Sequence, residues 1–251
     1  MIFDTHAHYD DDRFDGDRDR LFNEYFPHSG VCGVITCGTD EQSCQKAVDL
    51  AEKYPNVYAA VGIYPENTEN GVNIEKLRSL SNHEKVKAIG EIGLEYHYEG
   101  VPHDIQKREF ERQILLANEL CLPVIVHNRE AHNDTLEILK RTKPRGVIHC
   151  FSGSVEVAKE ILKLDMYIGL GGAVTFKNAR VPVEAARYVP LDRLVLETDA
   201  PYMSPVPHRG ERCDSVMIKY VAERIAKIKQ VSVEEILEMT EKNARKLFNI
   251  R

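Results

Sequence analysis

The sequence predicts an α/β fold, a (β/α)8 TIM barrel, on three observations. Short apolar runs recur eight times, amphipathic stretches separate them, and 251 residues is the length such a barrel takes. The runs are IFDTHAH (2–8), VCGVITCG (31–38), VYAAVGIYP (57–65), VKAIGEIGLE (86–95), LPVIVHNR (122–129), GVIHCFSG (146–153), MYIGLGGA (166–173) and LVLETDAP (194–201). Each is apolar or β-branched on both faces, as a strand covered on both sides of a parallel sheet must be. A doubly wound open sheet is the structural alternative.

Between the runs lie the helices. Thr39 followed by Gln42 reads as a capping box opening DEQSCQKAVDLAEKY, in which Cys44, Ala47, Val48 and Ala51 keep three-four spacing. Comparable stripes occur in FERQILLANEL, TLEILKRT, VEVAKEILKL and SVMIKYVAERIAKIK, and a Ser232/Glu235 capping box opens VEEILEMTEKNARKLF. No linker, internal repeat or low-complexity segment divides the chain, so residues 1–251 read as one domain.

Composition narrows the function classes. With 43% apolar residues the chain can bury a core, yet it has no run of eighteen apolar residues. Asp4 and His6 stand where a signal peptide would need an apolar stretch; a soluble, cytoplasmic protein with no membrane partner is expected. The six cysteines lack CxxC spacing, which signals neither a zinc knuckle nor a disulfide framework. A formal net charge of -7 without a basic block argues against a protein that coats nucleic acid, while leaving room for a small positive site.

The histidines point to that site. In FDTHAHYD, His6 and His8 are two residues apart on one strand and project to the same face. Alone, the pair reads better as one core and one loop histidine than as half a metal site. His127 ends PVIVH and His149 ends GVIH, so four of the ten histidines mark three strand ends. Glu91 lies within AIGEIGL and Asp199 closes VLETDAP; a carboxylate in such a run is costly to bury unless it is paired or holds a cation. These residues would meet at the face where this fold builds active sites.

Four imidazoles and two carboxylates exceed the needs of one catalytic zinc. Two divalent metal ions are expected, with Glu91 as the bridge, His6, His8 and Asp199 completing one site, and His127 and His149 the other. Ligand type favours Zn, Mn, Co or Fe. Such a pair would hold a bridging hydroxide and clamp the oxygens of an anionic phosphodiester.

In order and over nearly the full length, FDTHAHYD, GEIGLEYHY, VIVHNREAH, GVIHCFSGS, LGGAVTFKNAR, LETDAPYMSPVPHRG and NARKLF resemble the TatD-type metal-dependent DNases. The resemblance implies a TIM barrel of the amidohydrolase-like group, a phosphodiester hydrolase acting as a 3′-to-5′ exonuclease on DNA and sometimes RNA, with Mg admitted as a working ion. It places the family's ligands on His6, His8, Glu91, His127, His149 and Asp199. Position 95 is Glu where the family more often has Asp, and RCDS follows PHRGE where Asn with a nearby Pro is more usual.

Asp199 is expected to serve as general base as well as ligand, beside catalytic Glu91. Glu95, His97, Ser152, Lys177, Tyr202, His208 and Arg209 are the candidate substrate contacts. Tyr64, Tyr96 and Tyr98, with Tyr202, also follow strand ends, where they could stack a base or simply pack. Nucleic acid is the expected partner, acting as substrate, and the chain is expected to be a monomer. The rival enzyme is a barrel hydrolase of small-molecule amides, lactones or phosphotriesters. Such relatives often bridge their metals with a carboxylated lysine on strand 4, and Lys87 lies too early in its run for that. A non-catalytic binding barrel is the third reading, and its mark would be missing ligands.

Overall fold

The computed structural model describes residues 1–251. Eight strands follow one another around a nearly closed barrel, each parallel to the next: β1 Ile2–Ala7, β2 Val31–Cys37, β3 Val57–Val61, β4 Val86–Glu95, β5 Val124–Arg129, β6 Gly146–Ile148, β7 Tyr167–Leu170 and β8 Leu194–Leu196. From β2 onward a helix follows each strand: α1 Glu41–Lys53, α2 Ile74–Ser81, α3 His103–Glu119, α4 His132–Thr142, α5 Val155–Lys163 and α6 Arg180–Tyr188. After β8 come α7 Ile218–Lys229 and α8 Val233–Phe248. The crossover after β1 is broken into short 3-10, α and π turns between Asp12 and His28, where Gly16 and Pro27 interrupt an aspartate-rich stretch. No helix is long and apolar enough to cross a membrane.

Each strand sends at least one apolar side chain into the barrel. Phe3, Ile35, Ala60, Ala88, Ile125, Val147, Tyr167 and Val195 belong to one buried cluster, joined by Leu247, Phe248 and Ile250 at the end of α8. Glu241 of α8 pairs with the N-terminus and Arg245 lies over Phe3, so α8 closes the end where the strands begin. That leaves the opposite end, where the strands finish, open to solvent. A separate cluster of 55 buried residues fills the layer between sheet and helices.

The seam between β8 and β1 is made differently from the other seven. β8 is only three residues long, and one bridge, Ala7 to Ala200, replaces a ladder. His8 N donates to Ala200 O at 2.6 Å and Asp199 N to His6 O at 2.9 Å. Buried Asp4 completes the seam, accepting from Thr198 N at 3.0 Å, Thr198 Oγ1 at 2.6 Å and Ser215 Oγ at 2.7 Å. Burial lifts its carboxyl to about 6 in spite of these donors.

Two expectations need correction. The cap of α1 is Asp40, not Thr39: Asp40 Oδ1 accepts from Ser43 N at 2.7 Å and Ser43 Oγ accepts from Asp40 N at 2.9 Å. Ser43 occupies the third helical position, from which a side chain can reach back to the cap, whereas Gln42 occupies the second. The last three strands are also shorter than their apolar runs. Beyond Ile148 and Leu196 the chain leaves the ladder, and Cys150 and Asp199 adopt left-handed conformations at φ 43° and 63°.

Candidate metal centre

Sequence alternation alone would send His6 and Glu91 to the wrong side of the sheet, because Phe3 and Ala88 already point inward and odd spacings separate them. Both strands bulge. On β1, Asp4 pairs with Val34 and Ala7 with Thr36, three residues against two. On β4, Ile89 pairs with Val124 and Ile92 with Val126, again three against two. Each extra residue exchanges the faces, turning His6, His8 and Glu91 into the barrel. Gly93, at φ 148°, lets β4 press against β5, since a Cβ there would fall 1.9 Å from His127 O.

The structure brings all six sequence-predicted ligands together around Glu91. Glu91 Oε2 lies 3.4 Å from both His6 Nε2 and His8 Nε2, and Asp199 Oδ1 lies 3.5 Å from the same two nitrogens. Glu91 Oε1 lies 3.1 Å from His127 Nδ1 and 2.8 Å from His149 Nε2. The imidazoles of His6 and His149 stack at 3.9 Å and join the two groups. Ligand atoms bonded at about 2.1 Å around a tetrahedral cation would sit about 3.4 Å apart, which these spacings approach. Nitrogen pairs 3.1 Å apart in His6–His8 and 3.3 Å apart in His127–His149 aim at shared points, the arrangement a cation accounts for. Two cations sharing Glu91 fit this donor set.

Protonation fits in part. Although burial opposes it, the neighbouring imidazoles of His149 and His6 hold Glu91 well below the carboxylate range. Asp199 is held low by hydrogen bonds from His6 and His8, again against burial. Burial, with His6 beside it, pushes His149 down to about 4 and leaves its lone pair free. Three imidazoles run the other way: against burial, Cys37 and Glu91 hold His6 well above its ordinary range and Asp199 raises His8, while Glu91 and Glu95 hold His127 up at about 9, so cations must displace these protons.

Behind the histidines stand groups that orient them. His8 Nδ1 donates to Cys37 O at 2.9 Å, and His6 Nδ1 lies 3.4 Å from the Cys37 thiol. His127 Nε2 meets Glu95 Oε2 at 3.1 Å, where the Tyr64 hydroxyl also donates at 3.1 Å. His149 Nδ1 is 4.0 Å from Glu197 Oε1, which accepts from Cys150 N. Neither His149 Nδ1 nor Glu197 Oε2 has another partner. Glycine at 169 makes room for this carboxylate, because a Cβ there would meet Oε2 at 2.5 Å.

A cavity of about 840 Å3 opens above the cluster. Of the seven expected substrate contacts only Ser152 and Tyr202 line it. Glu95, 1% exposed, is spent on His127. His97 pairs with Glu130 at 2.8 Å, and His208 lies between Glu211 and Tyr220, 2.9 Å from each. Arg209 covers the Phe176 ring at 3.9 Å, and Lys177 is exposed in its loop. Their proximity to strand ends was legible in the chain; which neighbours engage them was not. Sequence reasoning missed Glu197, Asp4 and Cys37. The argument that selects Glu91, a carboxylate inside an apolar run, applies equally to Glu197 and Asp4.

Comparison with known proteins agrees with this architecture. The chain matches the family described as TatD related DNase over residues 3–249. It is 43% identical over the full length of both chains to the uncharacterized metal-dependent hydrolase YabD of Bacillus subtilis. To YcfH of Escherichia coli K12, also named an uncharacterized metal-dependent hydrolase, it is 44% identical, over 80% of this chain and 77% of the relative. The crystal structure of YjjV, a TatD homologue from Escherichia coli, superposes with a TM-score of 0.93 at 30% identity, covering 100% of this chain and 98% of that one. A match spanning almost every residue, on a barrel whose open end gathers four histidines and two carboxylates, makes this chain a member of the TatD family, a metal-dependent hydrolase.

Proposed function

We infer that this hydrolase cleaves phosphodiester bonds in single-stranded DNA, with RNA as a second substrate class. One observation carries the reading: Glu91 turns one oxygen to His6 and His8 and the other to His127 and His149, the arrangement of a carboxylate shared by two cations. Two divalent ions bound by these residues would supply Lewis acidity toward a phosphoryl group and a water molecule. The family resemblance supplies the 3′-to-5′ direction.

The protein's own groups have separable tasks. Glu91, 3% exposed, holds the two ligand sets in register. Asp199, whose side chain is 21% exposed, opens to the cavity and stays ionised beside His6 and His8, so it can accept the proton of the attacking water. The walls are otherwise acidic: Asp10, Asp11, Glu66, Glu91 and Asp199 face the cavity against Arg129. An anionic substrate therefore depends on the cations for entry, tying affinity as well as turnover to metal loading.

The test is incubation of 5′-labelled single-stranded DNA with Mn or Mg, with and without chelator. A ladder shortening from the 3′ end and lost on chelation is expected. Turnover confined to lactones, amides or phosphotriesters would overturn the reading in favour of a small-molecule hydrolase.

A further inference from the structure

Two of the largest exposed apolar side chains stand at the mouth of the barrel. Tyr98 follows β4 and is 51% exposed; Tyr202 follows β8 and is 49% exposed. In a ring of eight strands β4 and β8 are four places apart, so the two rings occupy opposite walls of the cavity. Each carries an arginine: the Arg129 guanidinium lies 5.0 Å from the Tyr98 ring centre, and that of Arg13 lies 4.3 Å from Tyr202. The Tyr202 ring is 6.4 Å from His8, while Arg129 is two residues beyond His127 on β5. The Glu91-centred cluster lies between the walls.

The geometry points to two nucleoside subsites, one on each wall, that bind the residues on either side of the scissile phosphate. This inference rests on the phosphodiester reading above and extends it to the substrate's minimum size and strandedness. A phosphodiester, unlike a monoester, has a substituent on both sides of phosphorus. Stacking accepts any base through its π-face; the Arg129 guanidinium can donate to the flanking phosphate, whereas that of Arg13 is held on Asp11 Oδ1 and Oδ2 at 3.0 and 2.9 Å and braces the Tyr202 ring. Both flanking bases must leave a duplex to reach opposite walls. The smallest good substrate is thus a single-stranded dinucleotide, and base identity matters little.

The test pairs variants with abasic substrates. Tyr98→Ala and Tyr202→Ala should each raise KM for a single-stranded oligonucleotide about 5- to 150-fold, the range of one lost base stack, with kcat largely kept. Tyr98→Phe and Tyr202→Phe should retain KM near the parent value. An abasic site beside the scissile phosphate should weaken the parent enzyme by a similar factor and add nothing in the alanine variant of the matching wall. Additive effects, or unchanged KM in both alanine variants, would overturn the proposal. Anisotropy with a labelled phosphorothioate tetranucleotide on the metal-loaded protein separates the two readings. Tyrosine-dependent binding without cleavage of ordinary DNA would sink the phosphodiesterase reading and keep the subsites, whereas absence of binding would sink the subsites.

Discussion

On the side of β1 and β8, the imidazoles of His6 and His8 rest on one residue, Cys37, through its thiol and its carbonyl, both uncharged. On the side of β5 and β6, His127 has the Glu95 carboxylate 3.1 Å behind it, and His149 has the buried Glu197 carboxyl 4.0 Å behind it, which burial lifts to about 8. The first group includes the partly open Asp199; the second has Glu91 as its ion-paired carboxylate at the front, with His149 also stacked on His6. The Glu95 carboxylate raises the basicity of His127 and fixes its ring, while burial keeps His149 neutral, so the halves differ in task. The β5–β6 half is built to hold a cation, and the β1–β8 half to work on substrate and proton.

The largest effects should come from the groups at the front. Glu91→Gln removes the shared charge, and metal analysis should find both cations lost, with turnover down at least about 1,000-fold. Asp199→Asn should cut kcat about 100- to 10,000-fold while the β5–β6 half keeps one ion per chain. Loss of both ions in Asp199→Asn would erase the proposed asymmetry.

Outer groups come next. Glu95→Gln should weaken the tighter metal-binding step about 10- to 100-fold, and Glu197→Gln by less because burial lifts that carboxyl to about 8, both measured by competition with a chelating dye. Cys37→Ser should shift the weaker step by less than about 10-fold, because the backbone carbonyl on His8 remains. Equal losses in all three variants would show that the backing carboxylates carry no special weight.

The pH dependence probes the same half. In the metal-free protein His127 is raised from 6.5 to about 9, so its contribution to stability is complete below 6.5 and disappears as pH rises through about 9. Metal binding requires the neutral ring and should strengthen up to about pH 9, with proton release visible by calorimetry in buffers of different ionisation enthalpy. A flat affinity from pH 6.5 to 9 would contradict a protonated His127. The smallest effect on chemistry is expected at the seam: Asp4→Asn disturbs a buried hydrogen-bond network at a cost of about 1–3 kcal/mol. Its Tm should fall by about 2–10 °C, with the ion of the β5–β6 half retained.

Much of the architecture is legible in particular residues of the chain. Apolar runs covered on both faces implied a parallel sheet, and their count implied a barrel; both follow from local periodicity, which the chain carries residue by residue. His6, His8, His127, His149, Glu91 and Asp199 stood out because imidazoles and carboxylates at the ends of apolar runs are chemically conspicuous. The substrate contacts were less legible. His208 sits near a strand end, but Tyr220, far along the chain, engages it.

The sequence by itself determined the succession of strands and helices and the identity of the ligand candidates, since burial pattern and donor chemistry belong to individual residues. Tertiary structure alone decided which way those ligands face. The bulges on β1 and β4 exist only in register with β2 and β5, and one inserted residue exchanges the two faces of a strand. It also decided what stands behind each imidazole, because Glu95 and Glu197 reach His127 and His149 across contacts that chain order does not encode.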